Sequence, residues 1–393
     1  MRTSKIVLLV IGVIVLAVAA VWRPVAAPQL TKLPTSLDIK YHFTGTYSGH
    51  VNQSTGARLA APQNLPLSID RQVKAVPAQS TSSELVVSDA STVAIGPGKT
   101  PQILQYVLNR STAESVTSPY AYALVPGNVV DRTGSYSLGP PPGADTAKTY
   151  PMWVDEIGKT VPITYANATQ TVHGVGVQEW QLNLSATPMA ASFVSAMHLP
   201  ATMSFAEFEA QLKAQGTDLA LGLRILSGSL TAAERTRLAA LTVKPIPLQY
   251  FYAINIKLLV EPASGTIVDT LAAVRAYSVR PDLGPFAAGL APMLAAHPSN
   301  PAAAPLADGS KKLTAAPAQP LYTLTFHQTP ASVTETAGQA GHNANLLRII
   351  ELWIPVGLGV IGLVLVGLAF TGRWRREPSA AKPAHPGPQK IGV

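Results

Sequence analysis

Hydrophobic positions fall into two kinds of pattern along this chain. At each end lies an apolar run without a charged residue, Ile6–Trp22 and Leu352–Phe370. Each is roughly the length of a bilayer-crossing helix, since about 20 residues at 1.5 Å rise span about 30 Å of hydrocarbon. Lipid offers no partner for backbone N–H and C=O groups, so an isolated apolar run satisfies them as a helix. Between the runs the pattern changes to period two. Leu65, Leu67, Ile69, Arg71 and Val73 alternate with Pro66, Ser68, Asp70, Gln72 and Lys74, and Trp180, Leu182 and Leu184 share one face of a strand. The stretches 37–44, 84–95, 103–109, 159–165, 250–261, 266–276 and 321–328 are rich in Val, Ile, Thr and Tyr and bounded by turn formers. Many short strands of this kind predict a mainly β domain, sandwich or barrel-like, flanked by two transmembrane helices.

A helical insert interrupts the strands near residues 188–243. Ser204-Phe205-Ala206-Glu207 and Thr231-Ala232-Ala233-Glu234 are capping boxes, in which the first hydroxyl accepts a free N–H and the glutamate reaches back. They open helices to about Gln215 and Leu241, and the apolar 219–226 stretch between them predicts a buried segment. The sequence Gly139-Pro140-Pro141-Pro142-Gly143 reads as a stiff break. The Pro/Ala-rich arm 281–320 is expected to wrap the surface without ladders, because Pro lacks the N–H donor. Residues 329–345 read as a polar stalk, and 372–393 as a disordered cytoplasmic tail.

Charge sets the expected orientation. Arg2 and Lys5 precede the first run, and Arg373, Arg375, Arg376, Lys382 and Lys390 follow the second. By the positive-inside rule both termini stay cytoplasmic and the domain, residues 24–345, lies outside a plasma membrane. Arg23 and Arg348 oppose this but are outnumbered. The whole chain carries +8, yet residues 24–345 hold 20 Lys/Arg against 19 Asp/Glu. The excess therefore belongs to the ends, where it attracts anionic lipid headgroups, and nucleic acid is not an expected partner. Ala17-Val18-Ala19 offers a rival reading of the first run as a cleaved signal peptide. Cysteine is absent, which removes thiol nucleophiles and thiolate metal sites.

The search for catalytic chemistry finds no linear motif. None of the eight His has another three or four residues away, so no helical metal pair exists. There is no G-x-S-x-G, and Gly98-Lys99-Thr100 lacks the phosphate-loop glycine because position 93 is Val93. Asp155-Glu156 is an adjacent carboxylate pair. Neighbours on a strand point to opposite faces, and a solvated turn is the expected setting. No enzyme activity, metal or cofactor is expected. In the second apolar run Gly357, Gly359, Gly362 and Gly367 leave room for another helix, the first apolar run being one candidate.

Two stretches carry a resemblance. Tyr150-Pro151-Met152-Trp153-Val154-Asp155 is followed by Pro162, Tyr165 and Gly174, and Glu261-Pro262-Ala263-Ser264-Gly265 by Thr266-Ile267-Val268. Together with the two-anchor layout they resemble the actinobacterial PorA-like family, labelled "porin" and of unknown function. Met152 stands where an aromatic is expected. Physically, Tyr150-Pro151 should start a strand edge and Trp153 should supply a buried plate with one N–H to satisfy. Glu261, Pro262 and Gly265 should form a tight turn with Gly265 at positive φ. The label implies a pore, yet the predicted strands lack the unbroken lipid-facing apolar row of a membrane barrel. Three readings stay open: a domain that binds or passes an apolar or lipid envelope component, a scaffold for envelope proteins or for self-association, and a pore component. The layout is analogous to class B scavenger receptors at the level of fold alone.

Overall fold

The computed structural model describes residues 2–51, 58–214 and 216–371. From the N-terminus the chain forms α1 (Arg2–Val21), a π-turn (Trp22–Ala26) and a short α2 (Ala27–Leu30). Strands β1 (Asp38–Val51), β2 (Arg58–Ala75), β3 (Glu84–Ile95), β4 (Gly98–Asn109), β5 (Tyr122–Ala123), β6 (Tyr150–Val154), β7 (Lys159–Val172) and β8 (Val175–Pro188) follow. A helical segment then holds α3 (Ala191–Ala196), the two-residue β9 (Thr202–Met203), α4 (Phe205–Ala214), α5 (Leu219–Ser227) and α6 (Ala232–Thr242). The chain returns through β10 (Ile246–Val260) and β11 (Ile267–Pro281), adds α7 (Gly284–Ala296) and α8 (Ala303–Thr314), and completes the sheet with β12 (Gln319–Gln328). Helix α9 (Pro330–Arg348), a π-turn (Ile349–Trp353) and α10 (Ile354–Thr371) end the described chain.

Residues 33–344 form one compact unit. Its strands make one antiparallel sheet in the order β5-β4-β3-β2-β1-β12-β11-β10-β8-β7-β6, with β9 pairing β10. Almost every neighbour in space is therefore a neighbour in sequence, an up-and-down arrangement joined where β1 meets β12. The sheet curls, and its two ends are linked by irregular backbone. Val116 N–H donates to Val107 O of β4, Ser115 N–H to Ser135 O, Tyr136 N–H to Pro151 O of β6, and Trp153 N–H to Tyr136 O. The expected sandwich-or-barrel domain is thus barrel-like, with a non-strand seam.

Period two decides which side faces in. On β1, Tyr41, Phe43 and Tyr47 are buried, while Asp38, Lys40, His42 and Thr44 are exposed. One core cluster inside the curl joins residues from both sheet ends, including Phe43, Leu85, Tyr136, Met152, Ile163 and Trp180. Burying a side chain of this size stabilises by about 1.5–3 kcal/mol. Gly45 is required at the joint, because a Cβ there would sit 2.0 Å from Thr325 O on β12.

Chain direction gives the barrel two distinct ends. The chain enters β1 and leaves β12 at one, the entry end, since Phe43 pairs with Gln328. Both long helical connections, β8 to β10 and β11 to β12, lie at the other, the helical end. The two capping boxes form as the sequence predicts: Ser204 and Thr231 N–H groups donate to Glu207 and Glu234 at 2.7 and 2.8 Å.

Three expectations are corrected here. The 281–320 arm is not an irregular wrap but contains α7 and α8, whose Leu290, Met293, Leu294 and Leu306 share a core with Phe208, Leu223 and Leu226. Small residues make this possible: a Cβ on Gly222 would approach Leu306 to 2.9 Å, and one on Gly289 would approach Leu241 to 2.6 Å. Pro285 lies in the first turn of α7 and Pro305 in that of α8, where N–H groups have no helical partner, so they cost little. The stalk is helix α9. Ala337 and Ala340 bury against Val177, Leu259 and Val268, and Thr336 Oγ1 donates to Val268 O at 2.6 Å. The proline run 139–143 is no domain break, because it packs inside the 33–344 unit.

Residues 1–32 and 345–393 form a second unit. Within it α1 and α10 approach closely: a Cβ on Gly362 would lie 2.7 Å from Leu16 Cγ, and one on Gly12 would lie 2.8 Å from Val366. Trp22 Nε1–H donates to Ile350 O at 2.8 Å, tying one π-turn to the other. One helix, Pro330–Phe370, is long and apolar enough to cross a membrane; Ile6–Val21 passes only together with Pro24–Leu30 across a 48° bend. The basic tail of the sequence, Arg373 to Lys390, and the disorder expected for 372–393 lie outside the described residues.

Candidate functional site: the barrel interior

The inward face is not purely apolar. It carries three arginines, each set against a carboxylate. Arg71 on β2 donates to Asp89 on β3 from Nε at 2.8 Å and Nη2 at 2.7 Å. Arg132, in the segment between β5 and β6, donates to Asp155 Oδ1 from Nε at 3.0 Å and Nη2 at 2.6 Å. Arg275 on β11 lies 3.6 Å from Glu156 Oε1 through Nη1. Arg71 and Asp89 are brought together by β2–β3 pairing, whereas the other two pairs join residues from elements that are not adjacent in sequence.

Asp155 and Glu156 were expected in a solvated turn. The turn is real, but both carboxylates are buried, and each takes a different arginine. They diverge rather than converge, so the pair offers no two-carboxylate catalytic geometry. Arg132 is held on every side: Nη1 donates to Gln105 O at 3.1 Å, Nη2 also to Tyr122 O at 3.3 Å, and the guanidinium lies over the Tyr106 ring at 4.8 Å. Asp155 Oδ1 further accepts the Trp153 indole N–H at 2.9 Å. This cluster pins the irregular seam. Burial pushes the Glu156 carboxyl above its ordinary range, the Arg275 charge opposing it.

The other resemblance residues are structural neighbours of the interior. Trp153 is only part-buried; the fully buried plate is Trp180, with Tyr150 and Tyr165 rings each 5.7 Å away. Tyr150 Oη accepts Asp145 N–H at 2.6 Å, and Pro151 sits opposite Pro162 on β7. At the entry end the Glu261 carboxylate accepts the N–H groups of Ala263 at 3.0 Å and Ser264 at 2.7 Å, closing the β10–β11 turn. Gly265 has φ +68°. A Cβ on Gly265 would lie 3.0 Å from Pro142 N and 3.2 Å from Pro140 O. Pro262 O accepts Gly143 N–H at 2.7 Å. The two motif stretches therefore do not share a site; the 139–149 loop runs from one to the other.

That loop and turn cover a cavity of about 80 Å³ at the entry end. Its lining is mainly apolar, with Leu37, Ile39, Val73, Leu108, Leu138 and Ile267, and Tyr41 and Arg71 supply polar atoms. Burial raises the Tyr41 hydroxyl to about 12, the Arg71 charge opposing, so it stays protonated. Among the described residues no group of three or more His, Asp and Glu stands together as a metal site.

The family model for porin PorA matches residues 5–371. The chain belongs to the porin PorA family. Membership covers both apolar termini and the whole barrel, and makes this a porin-like envelope protein with a β-rich fold. No curated protein matches the chain. In this chain the buried side of the sheet carries most of the apolar residues, whereas a lipid-embedded barrel turns its apolar face outward.

Proposed function

We propose that this PorA-family protein is held in the plasma membrane by both apolar termini and that its water-facing barrel binds an apolar envelope component at the entry-end cavity, acting by binding rather than catalysis. The observation that carries the reading is the apolar cavity of about 80 Å³ beneath the 139–142 and 264–266 segments. Empty apolar cavities accept apolar guests, and one of roughly 150 Å³ holds a benzene ring. The smaller space suits the end of an acyl or prenyl chain rather than a whole lipid, and a larger ligand requires the proline loop to shift. Two spans with cytoplasmic ends would place the domain outside, beside the bilayer that supplies such ligands. Mass spectrometry of organic extracts of the purified full-length protein, against a mock purification, tests this. A stoichiometric apolar species is expected; extracts identical to the mock would contradict it.

A pore is the second reading, favoured by the family description. Trp180, Ile163 and Leu85 are buried within the barrel core, and the two apolar runs carry no charge. A conducting path would therefore be formed between several copies. Single-channel steps from purified protein in planar bilayers would favour it.

A further inference from the structure

The third charge pair differs from the other two. Arg71 and Arg132 each give their carboxylate two hydrogen bonds, whereas Arg275 has one approach to Glu156 at 3.6 Å, through Nη1. Arg275 Nε is buried and has no hydrogen-bond partner. The Nε–Nη2 edge of a guanidinium is one of its two forks, the shape that grips two oxygens of a carboxylate or phosphate. Arg275 points into the barrel, between Leu324 and Ile254 in register, and lies over the Phe326 ring at 5.6 Å. Yet 37% of its side chain is accessible, so the space beside it is not filled by protein.

A second group faces the same space. Tyr252 is fully buried and its hydroxyl faces the Glu156 carboxyl without forming a hydrogen bond of good geometry. Its ring belongs to an aromatic ladder across adjacent strands: Tyr252–Tyr277 at 5.1 Å, Tyr277–Tyr322 at 4.5 Å and Tyr322–Tyr47 at 5.5 Å. Buried polar groups are almost always partnered, so an unpaired Arg275 Nε beside a Tyr252 hydroxyl that is poorly aligned on Glu156 marks a place where a partner belongs. A buried donor left unsatisfied destabilises the fold, and an oxygen-bearing guest would remove that penalty. Burial pushes the Glu156 carboxyl up, so Glu156 opposes a neighbouring anion less than an exposed carboxylate would.

We propose that the helical end of the barrel interior is a binding site for a single oxyanion group, carboxylate or phosphate, gripped by the Nε–Nη2 edge of Arg275 and a hydrogen bond from Tyr252. This site is separate from the entry-end cavity and does not depend on its reading. The anion is either a free ion or the head of an amphiphile.

The test uses full-length protein in detergent, titrated by calorimetry with inorganic phosphate, acetate, palmitate and a phosphatidic acid. Saturable binding of at least one probe is expected. Arg275→Gln should weaken it by roughly tenfold or more, as for loss of a charge-assisted hydrogen bond. Tyr252→Phe, which removes only the hydroxyl oxygen and keeps the ladder, should weaken it by roughly threefold. Lys40→Gln, on the outer face, should leave it unchanged. Binding of the small anions assigns the site to a free ion, and binding of the amphiphiles alone assigns it to a headgroup. Absence of binding by all four probes would overturn the proposal. So would equal affinity in wild type and Tyr252→Phe together with Arg275→Gln, or with Tyr252→Phe alone if Arg275→Gln fails to fold.

Discussion

Asp155 and Glu156 are adjacent in sequence and chemically alike, yet they serve two different regions. Asp155 lies in the seam, where Arg132 is 1% exposed and every direction of its guanidinium is taken by a carboxylate, a carbonyl or a ring. Glu156 lies in the chamber, where Arg275 has a donor to spare and accessible space beside it. In the seam the charges satisfy each other and lock backbone that has no regular ladder. In the chamber the same chemistry is left incomplete. A buried ion pair is therefore no guide to role until its remaining donors are followed to their partners.

The largest effect that would sharpen this contrast is in the seam. Arg132→Met strands a buried Asp155 and should cost about 3–5 kcal/mol, read as a lowered denaturation midpoint. A loss below about 1 kcal/mol would mean that the strands hold the barrel without the seam. Next comes Gly265→Ala at the entry end. It combines an unfavourable positive φ with contacts to Pro140 and Pro142, and should cost about 1–3 kcal/mol. Thermal unfolding that is unchanged would show that the proline loop is loosely held.

Glu156→Gln should be milder, within about 1 kcal/mol, because Arg275 can be hydrated from the open space. The pH dependence has a defined sign. Burial holds the folded pKa of Glu156 above its ordinary 4.5, so the folded state binds the proton more tightly. Its contribution to stability is full below that ordinary value and is lost as pH rises through the folded pKa. Wild type should accordingly gain stability on acidification relative to the glutamine variant, measured by chemical denaturation at a series of pH values. The smallest effect belongs to the helical layer. The Glu234 carboxylate is lowered to about 2 by the Thr231 N–H and hydroxyl, with His297 adding to it. Its support for α6 should be present above about pH 4.5 and fade as pH falls toward 2, visible as faster amide exchange at 232–242.

The fold was largely legible. Alternating runs such as 65–73 and 178–184 named strands and their inner faces, and two capping boxes named helix starts, because these signals are local. The arm 281–320 reads as irregular on proline content, yet Pro285 and Pro305 sit in first turns, α7 continues through Pro292, and small residues allow close packing. The interior plate is Trp180 and not Trp153, because Met152 and Val154 turn into the core and alternation puts Trp153 on the other face of β6. The interior charge pairs could not be read at all. Arg132 meets Asp155 through the irregular seam and Arg275 meets Glu156 through the curl of the sheet, and no spacing rule encodes either partner.

The proposed guest is held in the barrel interior and not in a trans-bilayer channel. The most direct test is photolabelling of full-length protein with a diazirine-bearing alkyl probe, followed by peptide mapping in wild type and Val73→Phe, which fills the entry-end cavity. Labels on peptides containing Leu37, Leu108 or Ile267 that vanish in Val73→Phe are the predicted result. Labels confined to α1 and α10, unchanged by the substitution, would contradict it.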